Sequence, residues 1–315
     1  VDLEGFELGE KMRVDEALEL YKDGKFDEIF KRSCPSIEDI TRFIVNAFAV
    51  CGKAISPSVV IGLSGGIDSA VVSTLAVKAF DDHYYWDYHK VEGWGKCFVH
   101  GLIMPSDTNS AEDMEYAIKH AERLGIEYEV VPIDELEKPF LKVENYFKDD
   151  IAKGNLKARI RMILLYDRAR SMWPDGSLVL GTTNFSEYLI GYFTKYGDGA
   201  ADIEPILPLY KTQVKMIARE LGIDERIINR PPTTGLWEGQ TDEDELGLTY
   251  ELLDKILLGL ELGLTWSNDV ADIVFQNEEP NYELVGKVFR LVTASEHKRR
   301  SPISLEMKFD RSPLY

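Results

Sequence analysis

Three cysteines in 315 residues, Cys34, Cys51 and Cys97, are too few and too scattered for a disulfide framework, and their spacing fits no metal site. They read as reduced thiols, which points to a cytoplasmic protein. No apolar run reaches the length of a membrane span, and no signal-peptide pattern opens the sequence. Basic residues are outnumbered: 36 Lys and Arg face 55 Asp and Glu, a formal net charge of −19. The acidic residues are spread along the chain, not gathered in a tail. That balance argues against a nucleic-acid surface. It leaves anionic nucleotides open as ligands, because Mg²⁺ and local Lys or Arg can neutralise them. No internal repeat is present. No glycine-rich turn ends in Gly-Lys-Ser/Thr, so there is no Walker A loop.

What is present is an alternation of strands and helices. Residues 1–36 read as an acidic N-terminal extension with a helical run near Val14–Tyr21, and 37–315 as a single domain. Ile37–Val50 has amphipathic helical spacing with Ser36 as its cap. Val59–Ile61 is a short apolar run of the kind buried on both faces of a parallel sheet. Further strands are expected at Phe98–Met104, Tyr128–Ile133 and Leu178–Leu180. Helices are expected at Ala111–Leu124, Phe140–Phe147, Leu156–Ala169 and Thr212–Leu221, and beyond Pro231-Pro232 the pattern is mostly helical. Parallel strands joined by helices imply an α/β fold, a doubly wound sheet with helices on both faces. Ligands of such sheets sit at the carboxyl ends of the strands.

Two turns fall there. The first, Ser64-Gly65-Gly66-Ile67-Asp68-Ser69, joins a buried strand to a helix N-terminus. Backbone N–H groups and the helix dipole favour an anion at such a place, and glycines let a phosphate come close. Asp68 would repel that phosphate unless a cation lay between them, so Mg²⁺ is the economical reading. The second turn is Gly181-Thr182-Thr183-Asn184-Phe185-Ser186-Glu187. Alone it reads as a helix N-cap by Thr183 or Asn184, although Glu187 could share a Mg²⁺ with Asp68. A third stretch, Gly191 to Ile203, mixes Gly, aromatics, Lys195 and Asp198 in a way a plain surface loop does not need.

The Ser64–Ser69 string resembles the pyrophosphate loop of the ATP pyrophosphatase superfamily, shared by GMP, asparagine and argininosuccinate synthetases and tRNA-thiolating enzymes. Together with Asn155–Met162, Gly181–Glu187, Thr194–Asp202, Pro232-Thr233, Thr241–Glu243 and Glu296-His297-Lys298-Arg299, the chain resembles the NAD synthetase family from about Ile37 to Pro302. Those enzymes amidate deamido-NAD with ammonia through an acyl adenylate, giving NAD, AMP and pyrophosphate. The resemblance implies ATP and pyrophosphate contacts at Ser64, Gly65, Gly66, Ile67, Asp68, Ser69, Thr182, Lys211 and Thr233. It implies Mg²⁺ at Asp68 and Glu187. For deamido-NAD it implies Asn155, Arg159, Tyr192, Lys195, Asp198, Asp202, His297 and Lys298. Catalytic roles fall to Asp68, Lys211 and Asp198, the last orienting or deprotonating ammonium. A homodimer with the substrate site at the subunit interface is implied as well.

Three features qualify the match. The Arg that many members carry near the end of strand two is missing from Leu102–Pro105, Asp81–Gly95 is a long aromatic-rich excursion, and no segment here reads as a glutaminase. Ammonia, free or handed over by another protein, is the expected nitrogen donor. Rival readings are a different ATP pyrophosphatase, or a nucleotide sensor on the same fold. Presence of Asp68, Glu187 and Lys211 weighs against the sensor. On the residues alone, Arg159 and Arg161 point to different faces of a helix, so one is expected to be structural. The Glu296–Arg300 run is by itself an ordinary charged helix end.

Overall fold

Four parallel strands, β1 (Ser58–Gly62), β2 (Phe98–Ile103), β3 (Glu127–Val130) and β4 (Leu178–Leu180), pair in the order β3-β2-β1-β4. The coordinates are a computed structural model that describes residues 12–51, 58–82, 98–143, 149–172, 177–233 and 241–301. The aromatic excursion over 83–97, with Cys97, lies outside them. From β1 the chain crosses to β2 on one side and pairs with β4 on the other. The order therefore reverses between β1 and β4, and their carboxyl ends open a crevice there.

Helices cover both faces, as expected of a doubly wound α/β sheet. Val59 and Ile61 point to one face and Val60 to the other, the period-two alternation of a strand. The first face packs against α3 (Ile37–Val50), α4 (Ile67–Asp82), α5 (Ala111–Leu124) and α9 (Lys211–Glu220). The second packs against Leu156, Ile160 and Ala169 of α7 (Asp150–Ser171). Ser36 caps α3 through its hydroxyl, which accepts from Asp39 N at 3.1 Å. Gly125 ends α5 with a φ of 67°.

One expected element moves. β3 stops at Val130 rather than Ile133, because Ile133 N donates to Pro105 O at 2.9 Å and Asp134 starts a helix. That helix, α6 (Asp134–Leu141), takes the place of the one expected over 140–147. Its first turn carries Asp134, Glu135 and Glu137, which favour a helix N-terminus. Residues 144–148 lie outside the described ones.

A third core joins the first two helices to those after residue 241. Tyr21 and Phe30, from α1 (Val14–Lys22) and α2 (Phe26–Ser33), are buried against α12 (Tyr250–Glu261), α13 (Ser267–Val274) and α14 (Tyr282–Ala294). Tyr21 Oη donates to Lys255 O at 2.9 Å, and Gln213 Nε2 of α9 donates to Phe30 O at 3.0 Å. This helical layer sets the position of α9 from the side away from the sheet.

Candidate active site

The turn after β1 needs glycine at its first bend. Gly65 has a φ of +82°, and a Cβ there would lie 2.2 Å from the Asp113 carbonyl oxygen. The hydroxyls of Ser64 and Ser69 lie 3.1 Å apart and lace the turn together. Ser69 Oγ donates to Gly66 O at 3.0 Å, and Gly66 N donates to Ser64 Oγ at 3.2 Å, so this N–H is turned into the loop rather than outward. Ile67 is buried against the sheet, and Asp68 stands in the first turn of α4.

The turn after β4 leads into α8 (Phe185–Ile190). Asn184 is its N-cap: Oδ1 accepts from Glu187 N at 3.0 Å, while Nδ2 donates to Asp68 Oδ1 at 3.0 Å. The capping reading holds, with Asn184 as the cap, and the same amide reaches the turn after β1.

Lys211 closes the site. It is the first residue of α9 and only 1% exposed. Its Nζ donates to Asp68 Oδ2 at 2.6 Å and to Glu187 Oε1 at 3.0 Å, and lies 5.0 Å from the centre of the Tyr250 ring. Burial opposes the ammonium charge, but the Asp68 and Glu187 carboxylates outweigh it and hold Lys211 above its ordinary value. Burial pushes Glu187 up, Lys211 pulls it down and Asp68 pushes it up again. Tyr250 Oη donates to Asp242 at 3.2 Å, and Tyr192 Oη donates to Glu245 at 2.6 Å. The surroundings of Lys211 are therefore acidic.

Asp68, Glu187, Tyr192, Lys211, Asp242 and Glu245 line a cavity of about 480 Å³ that runs from the Ser64 turn across the sheet ends. Of the expected nucleotide contacts, Ser64, Gly66, Ile67, Asp68, Ser69, Thr182, Lys211 and Thr233 all line it. Of the expected dinucleotide contacts, Asn155, Tyr192, Asp198 and Lys298 line it too. Asn155 Oδ1 accepts from Thr194 Oγ1 at 2.6 Å, and Asp198 accepts from Thr194 N at 2.8 Å. Burial raises the Asp198 carboxyl. Lys298 Nζ donates to the carbonyls of Gly191 and Phe193 at 2.7 and 2.8 Å, which ties the chain's C-terminal charged run to the loop after α8.

Five expected residues stand outside the cavity wall: Gly65, whose bend faces the Asp113 carbonyl, and Arg159, Lys195, Asp202 and His297. Arg159 Nη2 donates to Lys195 O at 3.4 Å, and Lys195 Nζ donates to His297 O at 2.6 Å, so these three form a chain on the exposed rim. Asp202 is turned the other way: Oδ2 accepts from Val179 N at 2.8 Å and so holds β4. Of the arginine pair, Arg161 braces the loop after β2, donating to Met104 O at 3.0 Å and Asn109 Oδ1 at 2.9 Å, and it also lines the cavity.

Sequence reasoning passed over three groups. Arg230 lines the cavity and pairs with Asp113 in the first turn of α5. Glu204 lies flat against Gly181, where a Cβ would meet its carboxylate at 2.1 Å, and accepts from Thr183 N at 3.2 Å. Burial pushes it up to about 8. Asp254, at 0% exposed, sits behind Lys211. Elsewhere, Asp107, Asp134 and Glu137 gather beyond β2, with Lys157 Nζ 2.6 Å from Asp107.

The family model described as NAD synthase matches residues 36–302. The chain belongs to the NAD synthase family. It is an enzyme, a ligase. An NH(3)-dependent NAD(+) synthetase of Pyrococcus horikoshii is 46% identical over 78% of this chain and 86% of that protein. One from Methanocaldococcus jannaschii is 42% identical over 86% of this chain and 96% of its own length. Among solved structures, an NMN synthetase from Francisella tularensis is 34% identical with a TM-score of 0.67, covering 87% of this chain and 99% of that one. An NH3-dependent NAD synthetase from Campylobacter jejuni is 29% identical with a TM-score of 0.63, covering 86% and 100%. No described helix is long and apolar enough to cross a membrane.

Proposed function

We propose that this ligase makes NAD from deamido-NAD and ammonia, driven by cleavage of ATP to AMP and pyrophosphate. The observation that carries the reading is the convergence of Lys211, Asp68 and Glu187 beside the Ser64–Ser69 turn, in a chain whose curated relatives are named NH(3)-dependent NAD(+) synthetases.

A carboxylate is a poor electrophile. In the first step a nicotinate carboxylate oxygen attacks the α-phosphorus of ATP, and the bond to the pyrophosphate oxygen breaks. In the second, ammonia attacks the acyl carbon, the C–O bond to AMP breaks, and a proton leaves the nitrogen. The Ser64 and Ser69 hydroxyls and the N-terminus of α4 receive the departing pyrophosphate, and Lys211 meets its growing charge. Asp198, in the cavity wall, would hold ammonium and take its proton.

Asp68 and Glu187 fit a Mg²⁺ ion. They are hard oxygen donors on two different elements, and they already converge on one cationic atom at 2.6 and 3.0 Å. Bound there, Mg²⁺ would neutralise phosphate charge where Lys211 is already shared between two carboxylates. The homodimer implied by the family resemblance has support in apolar side chains left in water: Leu136, Phe140 and Leu141 of α6, and Ile151 and Ile163 of α7.

The test supplies the purified chain with ATP, Mg²⁺, ammonium and deamido-NAD, and measures NAD, AMP and pyrophosphate in equal amounts. Glutamine in place of ammonium should give little NAD. Nicotinic acid mononucleotide, run in parallel, examines the acceptor suggested by the NMN synthetase relative; its preference over deamido-NAD would overturn the substrate assignment. Asp68→Asn and Glu187→Gln should each lower kcat about a hundredfold or more. Near wild-type turnover by both would remove them from the metal site.

A further inference from the structure

Asp254 is a fully buried carboxylate on α12 that no step above uses. Its surroundings are specific. Oδ1 accepts from Ser186 Oγ at 2.5 Å, and Ser186 Oγ in turn accepts from the backbone N–H of Lys211 at 2.9 Å. Oδ2 accepts from Thr212 N at 2.8 Å and from Thr212 Oγ1 at 2.7 Å. One carboxylate therefore governs the first two N–H groups of α9, directly for Thr212 and through one hydroxyl for Lys211. Tyr210 N is held separately by Gln213 Oε1 at 3.0 Å.

A helix of ten residues leaves its first N–H groups without partners inside the helix, and a buried helix start must find them elsewhere. Ordinarily the residue just before the helix supplies the cap. Here that residue is Tyr210, whose side chain makes no cap hydrogen bond. The cap comes instead from another helix. It is a charged acceptor, which suits the positive end of the helix dipole. The side chain that leaves the backbone at this capped point is Lys211, whose Nζ reaches Asp68 and Glu187.

We propose that Asp254 is a positioning residue for turnover: by fixing the N-terminus of α9 it holds the Lys211 ammonium at the phosphate site. The inference rests on the reading above that Lys211 meets ATP phosphates. Burial pushes the Asp254 carboxyl up to about 6, with Ser186 and Thr212 opposing, so at neutral pH it is chiefly the acceptor-only carboxylate that this geometry requires. An amide is a weaker substitute: its oxygen can still accept from Thr212 N–H, but its NH2 must then donate to Ser186 Oγ, which reverses that hydrogen bond, and the start of α9 loses its charged acceptor.

Asp254→Asn should therefore displace Lys211 without replacing any cavity-lining residue. A small misplacement of a charge at a reacting centre lowers turnover by about tenfold to a hundredfold. The binding readout is calorimetric: Mg²⁺-pyrophosphate and deamido-NAD, each titrated into the folded protein. Asp254→Asn should weaken pyrophosphate by about tenfold and leave deamido-NAD within about twofold of wild type, with kcat falling alongside. Ser186→Ala keeps Asp254 but removes the hydroxyl between it and Lys211 N, and should move the same readouts in the same direction if Asp254→Asn does not fold. Ile256→Ala, a buried neighbour on α12, is the stability control and should change melting temperature but not the ratio of the two affinities. If Asp254→Asn and Ser186→Ala shift both ligands equally, or behave as Ile256→Ala does, Asp254 is only a core cap and the proposal is wrong. If wild type itself binds neither pyrophosphate nor deamido-NAD, the functional reading fails first and the proposal falls with it.

Discussion

Replacing Lys211 by Met tests the charge arrangement at the centre of the site. The methionine has similar length and no charge, so the substitution leaves Asp68 and Glu187 facing each other without their shared cation. The gross attraction lost is large. At an effective dielectric near 20, an ion pair at 2.6 Å is worth about 6 kcal/mol and one at 3.0 Å slightly less. Much of that is offset by the desolvation of an ammonium that is 1% exposed. Breaking a buried pair from one side leaves a net destabilisation of about 3–5 kcal/mol. Urea unfolding at pH 7 and low Mg²⁺ should show that loss. Mg²⁺ should then restore much of it, because the two carboxylates still converge and the cation no longer competes with an ammonium. Wild type should gain less from the same Mg²⁺. Turnover should stay at least about a hundredfold down even with Mg²⁺ saturating, since a preorganised contact to departing phosphate is gone. Adding Asp68→Asn and Glu187→Gln to Lys211→Met removes the uncompensated charges and should recover stability but not activity. A Lys211→Met protein as stable as wild type, with no added response to Mg²⁺, would refute the account of a shared cation site.

Two further outcomes follow. His120 is buried between α4 and α5 with Nε2 3.1 Å from Ala70 O, and burial, with Arg123 adding, lowers its pKa to about 4. The unfolded chain therefore holds the proton between about pH 6.5 and 4 and the folded chain does not, so stability falls as pH drops through that window. The loss is about 3 kcal/mol by pH 4 relative to His120→Gln, read from urea unfolding against pH. A wild-type profile parallel to that of the variant would show that His120 is protonated in the fold. The exposed apolar side chains of α6 and α7 should be covered by a second copy of the chain. Light scattering should give twice the mass of 35.8 kDa, and Ile163→Asp with Phe140→Glu should halve it; a monomeric wild type would remove the homodimer.

The parts of the site that were legible in the sequence are those whose geometry is local. Ser64 to Ser69 are consecutive, and strand, turn and helix start are fixed by neighbours in the chain. Asn184 and Glu187 are three apart, and capping alone brings them together. Lys211 is another matter. It lies 143 positions from Asp68, and only the family resemblance pointed to it. The shifted helix at Asp134 was missed because an apolar stretch, Val130–Ile133, looks like continuing strand, while Ile133 N had already found its partner in the Pro105 carbonyl. Asp202 read as a ligand because it closes a motif, yet its carboxylate holds the backbone of β4.

Asp254 shows a signal that was present and unread. Tyr250, Leu253, Leu257 and Leu258 are buried at spacings of three and four along α12, and Asp254 falls on that same stripe. A carboxylate on an otherwise apolar helical face is costly unless something satisfies it. Its presence there announces a partner from another element, here the start of α9. The same logic links the two halves of the chain. The sheet supplies the phosphate turn and Asp68, whereas the helical layer, built from the first two helices and those after residue 241, supplies the cap that aims Lys211. Neither half can assemble the three-charge centre alone, and a variant that loosens α12 from α9 should reach the chemistry without altering any residue that lines the cavity.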